Sequence, residues 1–151
     1  MKTIRHFSIL VLFLAACTAL SFGDELGRHP AYLHSLADLR DARAHLDRLT
    51  PSDKTDREEE HAIREIDAAI HEIKMAAIDD GKDLHNHLPV DTRMGHAGRY
   101  HKTLELLDRA HLDIAEKEDD RFAHGLRHRA LEHIETAQRI VDRLIIQNSG
   151  D

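Results

Sequence analysis

Ile63-Arg64-Glu65-Ile66-Asp67-Ala68-Ala69-Ile70-His71-Glu72-Ile73-Lys74-Met75-Ala76-Ala77 is the stretch whose reading decides the fold. Ile63, Ile66, Ile70, Ile73 and Ala77 recur at spacings of three, four, three and four. That period lays one apolar stripe along an α-helix and is incompatible with the two-residue alternation of a half-buried strand. Thr55-Asp56-Arg57-Glu58 precedes it as a capping-box pattern, in which hydroxyl and carboxylate satisfy orphan N–H groups reciprocally. Gly81 stands where a left-handed C′ residue would close the helix. A helix with one apolar stripe needs partners to bury it.

The flanking sequence supplies three. From His29-Pro30, where proline fits a first helical turn, Leu33, Leu36, Leu39, Ala42, Leu46 and Leu49 repeat at helical spacing until Thr50-Pro51-Ser52. A third segment runs from about Thr92 to Lys117, with Ala97, Tyr100, Leu104, Leu107, His111 and Ile114 on one face. Gly95 and Gly98 weaken its start by roughly 1 kcal/mol each relative to alanine. Asp119-Asp120 then caps a fourth segment striped by Ala123, Leu126, Ala130, Ile134, Ala137, Val141 and Leu144. The sequence therefore predicts an all-α protein, an antiparallel up-down-up-down four-helix bundle with breaks near 50–55, 80–92 and 117–120. Glu60/Arg64, Glu105/Arg109 and Glu135/Arg139 are four-residue charge pairs that dress the outer faces. No solenoid-type period and no low-complexity tract is present.

The first 23 residues read differently. Lys2 and Arg5 make a basic start, Phe7 to Ala16 an apolar run too short to span a bilayer, and small residues lead to Asp24. This is the pattern of an export signal. Two cleavage points fit it. Ser21-Phe22-Gly23 suits ordinary signal peptidase, leaving 24–151 as a single domain and residues 1–23 as the leader. Leu14-Ala15-Ala16-Cys17 suits a lipobox, with residues 1–16 removed and Cys17 lipidated. The expected location is periplasmic or extracellular, or else membrane-anchored as a lipoprotein. In either case the only cysteine is lost or lipidated, so packing and not a disulfide must stabilise the fold.

Lys2 and Arg5 leave with the 23-residue leader, so the 21 basic residues become 19 against 28 acidic ones, a balance of −9. That argues against nucleic acid and against charge-driven binding to anionic lipid. No transmembrane segment is expected in the mature protein; a lipid anchor, a protein partner or a homo-oligomer remain open. The mature aromatics are Tyr32, Tyr100 and Phe122, so the core must be aliphatic.

Histidine is overabundant: His6 goes with the leader and 13 of the 14 stay. Their protonation would carry the formal charge from −9 toward +4 as the medium acidifies. His111 falls at the centre of the third apolar stripe and His133 at the flank of the fourth, where the expectation is a hydrogen-bonded structural residue. His34, Asp38, Asp41 and His45 share a face expected to meet solvent, as do His124 and His128. In an alternating bundle the first segment's start, the 82–91 connection and the third segment's start lie at one end. That would gather His29, His34, His85, His87, His96 and His101 beside Asp80, Asp83 and Asp91, a donor set suited to Zn, Cu or Ni. Abundant histidine on an exposed loop would produce the same clustering without a metal.

Sharper chemistries lack their residues. Only Glu58/His61 has di-iron spacing, and it faces away from the isoleucine stripe. His71-Glu72 lacks the second histidine of a zincin. Met75 and Met94, as haem ligands, read better as core filler. Asp79-Asp80-Gly81-Lys82-Asp83 lacks the alternation and distal glutamate of a calcium loop.

His29-Pro30-Ala31-Tyr32-Leu33-His34-Ser35-Leu36-Ala37-Asp38-Leu39-Arg40, together with Arg64 to Ile70, Ile78 to Lys82 and Asn86 to Asp91, resembles a group of uncharacterised small exported bacterial four-helix proteins. Leu88 departs from it by replacing a second proline. The resemblance implies a helical fold and export, and no activity. The expected function is that of an exported non-catalytic bundle, structural, stress-related or partner-binding. The alternative is a His-rich periplasmic module that binds or senses a transition metal.

Overall fold

A computed structural model describes residues 31–47, 57–79, 94–116, 118 and 120–149, except the side chains of His96 and Ala97. The expected leader, Cys17, the Thr55–Glu58 capping box and the 82–91 connection lie wholly or partly outside the described residues. Four helices make up almost all that is described: α1 (Tyr32–Leu46), α2 (Arg57–Asp79), α3 (His96–Ala115) and α4 (Arg121–Asn148). No strand occurs among the described residues, and no helix among them is long and apolar enough to cross a membrane.

The stripes read from sequence are the buried faces of α2 and α4. Ile66, Ile70, Ile73 and Ala77 are buried, as are all seven apolar residues expected on α4, with Ile140 added. On α1 Leu36, Leu39, Ala42 and Leu46 are buried as expected, and the departure is at the first position, where Tyr32 is buried and Leu33 is 42% exposed. Aspartate 120 caps α4 as expected, its Oδ1 accepting from the backbone N–H of Phe122 at 2.7 Å and Ala123 at 2.9 Å. Such a cap is worth about 0.5–2 kcal/mol.

The expected alternating order of helices is corrected by the side chains that join them. Glu72, Glu65 and Glu58 of α2 meet Arg129, His133 and Arg143 of α4 in that order, so these helices are antiparallel. His111 meets Glu135 and Gln138 donates to Asp108, so α3 is antiparallel to α4 as well. α2 and α3 are therefore parallel to each other. Arg109 to Asp38 and Arg99 to the His45 carbonyl make α1 antiparallel to α3. The order is up-down-down-up.

Each helix packs on two neighbours: α1 on α2 and α3, α4 on α2 and α3, while α1/α4 and α2/α3 are diagonal. The α2/α4 seam is the most extensive, and alanine is the reason. In the register set by the ion pairs, Ala62, Ala69 and Ala76 stand opposite Ala137, Ala130 and Ala123, all fully buried. Methyl-sized side chains let the two helices approach closely over several turns.

Candidate functional site

The chemistry-bearing side chains divide into an inner and an outer set. The inner set holds helices together. The Tyr32 hydroxyl, at the first residue of α1, donates to Glu118 Oε2 just ahead of α4. The Tyr100 hydroxyl, in the second turn of α3, donates to Glu59 Oε1 in the first turn of α2. Both pairs are buried, one at each end of the bundle. Arg99 donates from Nη1 to the His45 carbonyl at 3.1 Å, and Thr103 Oγ1 to the Ala42 carbonyl at 3.5 Å. Arg127 Nη1 reaches the carbonyls of Ile114, Ala115 and Glu116, closing the C-terminus of α3.

The outer set is a run of acid–base pairs along the α2/α4 seam. Glu65 is its centre: its Oε2 lies 2.7 Å from His133 Nδ1 and its Oε1 3.3 Å from His61 Nε2. Arg129 pairs with Glu72 at 2.8 Å below it and Arg143 with Glu58 at 3.7 Å above. The Glu72 contact, mainly its hydrogen bond, holds the Arg129 guanidinium above the usual arginine range. These pairs are partly exposed, so salt screens them and each adds little stability. Near the start of α4, Asp120, Arg121, Phe122, Gly125 and Arg129 line an open cleft of about 500 Å³. Phe122 is 58% exposed there, and Met75 and Ile78, also exposed, lie at the same end on α2.

On the α1/α3 side Asp113 is half-buried, and its carboxyl is raised above the ordinary range, first by that burial. Asp38 and Glu116 push it the same way, while His34 and Arg109 oppose them.

The structure separates the histidines grouped from sequence. His34 lies near the Asp113 end of the α1/α3 pair and His101 near the opposite end, beside the last turn of α1. The reason is the parallel α2 and α3, which puts the starts of α1 and α3 at opposite ends of the bundle. His29, His85 and His87 lie outside the described residues, as does the His96 side chain. Among the described residues no group of three or more His, Cys, Asp or Glu is arranged to hold a metal ion.

Other expectations shift as well. His45, placed on a solvent face, is only 3% exposed. His111 is half-exposed beside Glu135 at 3.5 Å and does not belong to the core. His133 keeps its flank position and pairs across the seam. His124 and His128 are exposed, His128 near Glu132 at 3.5 Å. Met75 and Met94 are exposed and do not fill the core. Of the three outer charge pairs, Glu105 and Arg109 stand 3.8 Å apart. The residues that sequence reasoning missed are Glu59, Glu65 and Glu118, because a carboxylate on an acidic helix gives no sign of the tyrosine or imidazole it will meet.

No family model, curated protein or solved structure matches this chain.

Proposed function

We propose that this protein is an exported, non-catalytic helical bundle that works through its surface, as a structural, stress-related or partner-binding protein. The observation that carries the reading is the division of polar groups. Tyr32, Tyr100, Arg99 and Thr103 are buried and engaged in joining one helix to another. A group held in that way is not available to a substrate. One accessible face among the described residues combines Phe122 with Arg121, Arg129 and Asp120, an aromatic side chain among charged ones. Aromatic and arginine side chains are the types that anchor protein partners.

Native mass spectrometry of the protein purified from its own cell envelope tests the reading. A stoichiometric protein partner or a defined oligomer, lost on Phe122→Asp, is the expected result. Stoichiometric Zn, Cu or Ni on an otherwise monomeric chain would overturn it in favour of the metal-binding alternative.

A further inference from the structure

The two halves of the bundle repeat one another at a spacing of 68 residues. Tyr32, Ser35, Leu36, Leu39, Ala42 and Leu46 of α1 correspond to Tyr100, Thr103, Leu104, Leu107, Ala110 and Ile114 of α3. At the same offset Ala62, Ile63, Ile66, Ala69 and Ile73 of α2 correspond to Ala130, Leu131, Ile134, Ala137 and Val141 of α4. Helical period alone would align one pair of helices at several offsets. It does not explain why both pairs choose the same one, or why a tyrosine and a small buried hydroxyl recur with them.

The structure supplies an independent observation. If two hairpins are related by a two-fold axis, each contact between them must have an image, and a residue on the axis must meet its own equivalent. Glu65 meets His133, its equivalent, at 2.7 Å. The Ala31 N–H donates to the Asp113 carbonyl at 3.1 Å, and the Arg99 side chain donates to the His45 carbonyl at 3.1 Å. Those two contacts join equivalent positions, because 31 and 99, like 45 and 113, stand 68 apart. Ala62 opposite Ala137 is the image of Ala69 opposite Ala130. The pairing of helices obeys the same symmetry, with α1 on α3, α2 on α4 and the diagonals apart.

We infer that α3–α4 is a second copy of the α1–α2 hairpin, so that the face each hairpin turns to the other is self-complementary and the partner it fits is the hairpin of a second copy of this chain. The divergence on the axis sets the preference for the other half. Pairing α1–α2 with itself puts Glu65 against Glu65, a like-charge contact, whereas α3–α4 offers His133. Away from the axis the self-pair keeps one contact and loses another: His61, the equivalent of Arg129, would face Glu72, whereas Asp41, the equivalent of Arg109, would face Asp38.

The test uses full-length chains carrying Cys17→Ser and one new cysteine, refolded from urea at rising concentration and treated with a short bismaleimide. Glu65→Cys mixed with His133→Cys should give a cross-linked dimer whose yield grows with concentration. Glu65→Cys alone should also give a dimer above background but in lower yield, because that substitution removes the like-charge contact on the axis and leaves Asp38 facing Asp41. His124→Cys, on an exposed face of α4, sets the background. The double variant Glu65→Cys, His133→Cys should close within one chain at low concentration. Dimer yields at the His124→Cys background, with the double variant closing normally, would overturn the self-complementary face. Failure of the double variant to close would overturn the two-fold register on which it rests.

Discussion

The Tyr100 hydroxyl donates to the Glu59 carboxylate at 2.5 Å, although the helices that carry them sit on a diagonal of the bundle. Glu59 is 5% exposed and Tyr100 4%, so the carboxylate sits where water does not readily replace a lost donor. This bond explains how α2 and α3 begin at the same end. It also sets the energetic stakes, since hydrogen bonds to buried charged groups are worth about 1.5–3 kcal/mol. Tyr100→Phe should lower unfolding stability by about that amount in urea titrations. Glu59→Gln, which keeps an acceptor, should cost less.

The α2/α4 seam gives a second expectation. Ala69 and Ala130 face each other across the seam, both fully buried. Ala69→Leu should destabilise the bundle by about 1–3 kcal/mol through overpacking. Leu33→Ala, at a position that sequence periodicity assigned to the core and the structure exposes, should change stability by less than about 0.5 kcal/mol. Paired thermal melts of the two variants distinguish a core built on Tyr32 from one built on Leu33.

Much of the fold is legible in the sequence, and what is not has a physical cause. Helices α2 and α4 announce themselves because an unbroken Ile/Ala stripe at three- and four-residue spacing has one way to be buried. On α1 Leu36, Leu39, Ala42 and Leu46 read correctly and Leu33 did not, because Leu33 and Tyr32 are both apolar and the Glu118 carboxylate, 86 positions away, decides between them. Helix direction was invisible, since apolar stripes carry no polarity; the order of Glu58, Glu65 and Glu72 against Arg143, His133 and Arg129 supplies it. That single unknown misplaced the histidines, because grouping His34 with His101 needs α1 and α3 to start together. The two-copy repeat was written in Tyr32/Tyr100 and Ala69/Ala137, but a search for many-fold periods passes over a pair.

Asp113 gives a pH dependence of definite sign. Burial first, then Asp38 and Glu116, raise its carboxyl above the ordinary value, against the opposing pull of His34 and Arg109. A carboxyl raised in the folded state stabilises the fold when protonated, and that contribution is lost as pH rises through the raised value. Asp113→Asn removes the penalty of holding a charge there. The variant should be more stable than wild type at pH 7, and the advantage should shrink on acidification as wild-type Asp113 takes up its own proton. Urea midpoints of both proteins from pH 7.5 to 4 measure the difference directly. An advantage that grows on acidification would contradict the assignment.

The helix order itself is open to a distance measurement, and it decides whether one end of the bundle can gather the histidines of α1 and α3. Glu60 lies in the first turn of α2 and Ile78 at its end, a separation of about 27 Å along a helix. His101 lies near the start of α3. With α2 and α3 parallel, spin labels at Glu60 and His101 should be separated mainly by the width of the bundle, and labels at Ile78 and His101 should be clearly farther apart, because about 27 Å along the bundle axis is added to that width. An alternating bundle would reverse the two distances. Pulsed electron resonance on double-cysteine variants in a Cys17→Ser background reads both. If Ile78 proves the nearer partner, α1 and α3 start at the same end, and His34 and His101 become candidates for one metal again. If Glu60 is nearer, they stand about as far apart as α1 is long, beyond the reach of a single ion, and any metal held by His34 would need ligands from its own end of the bundle.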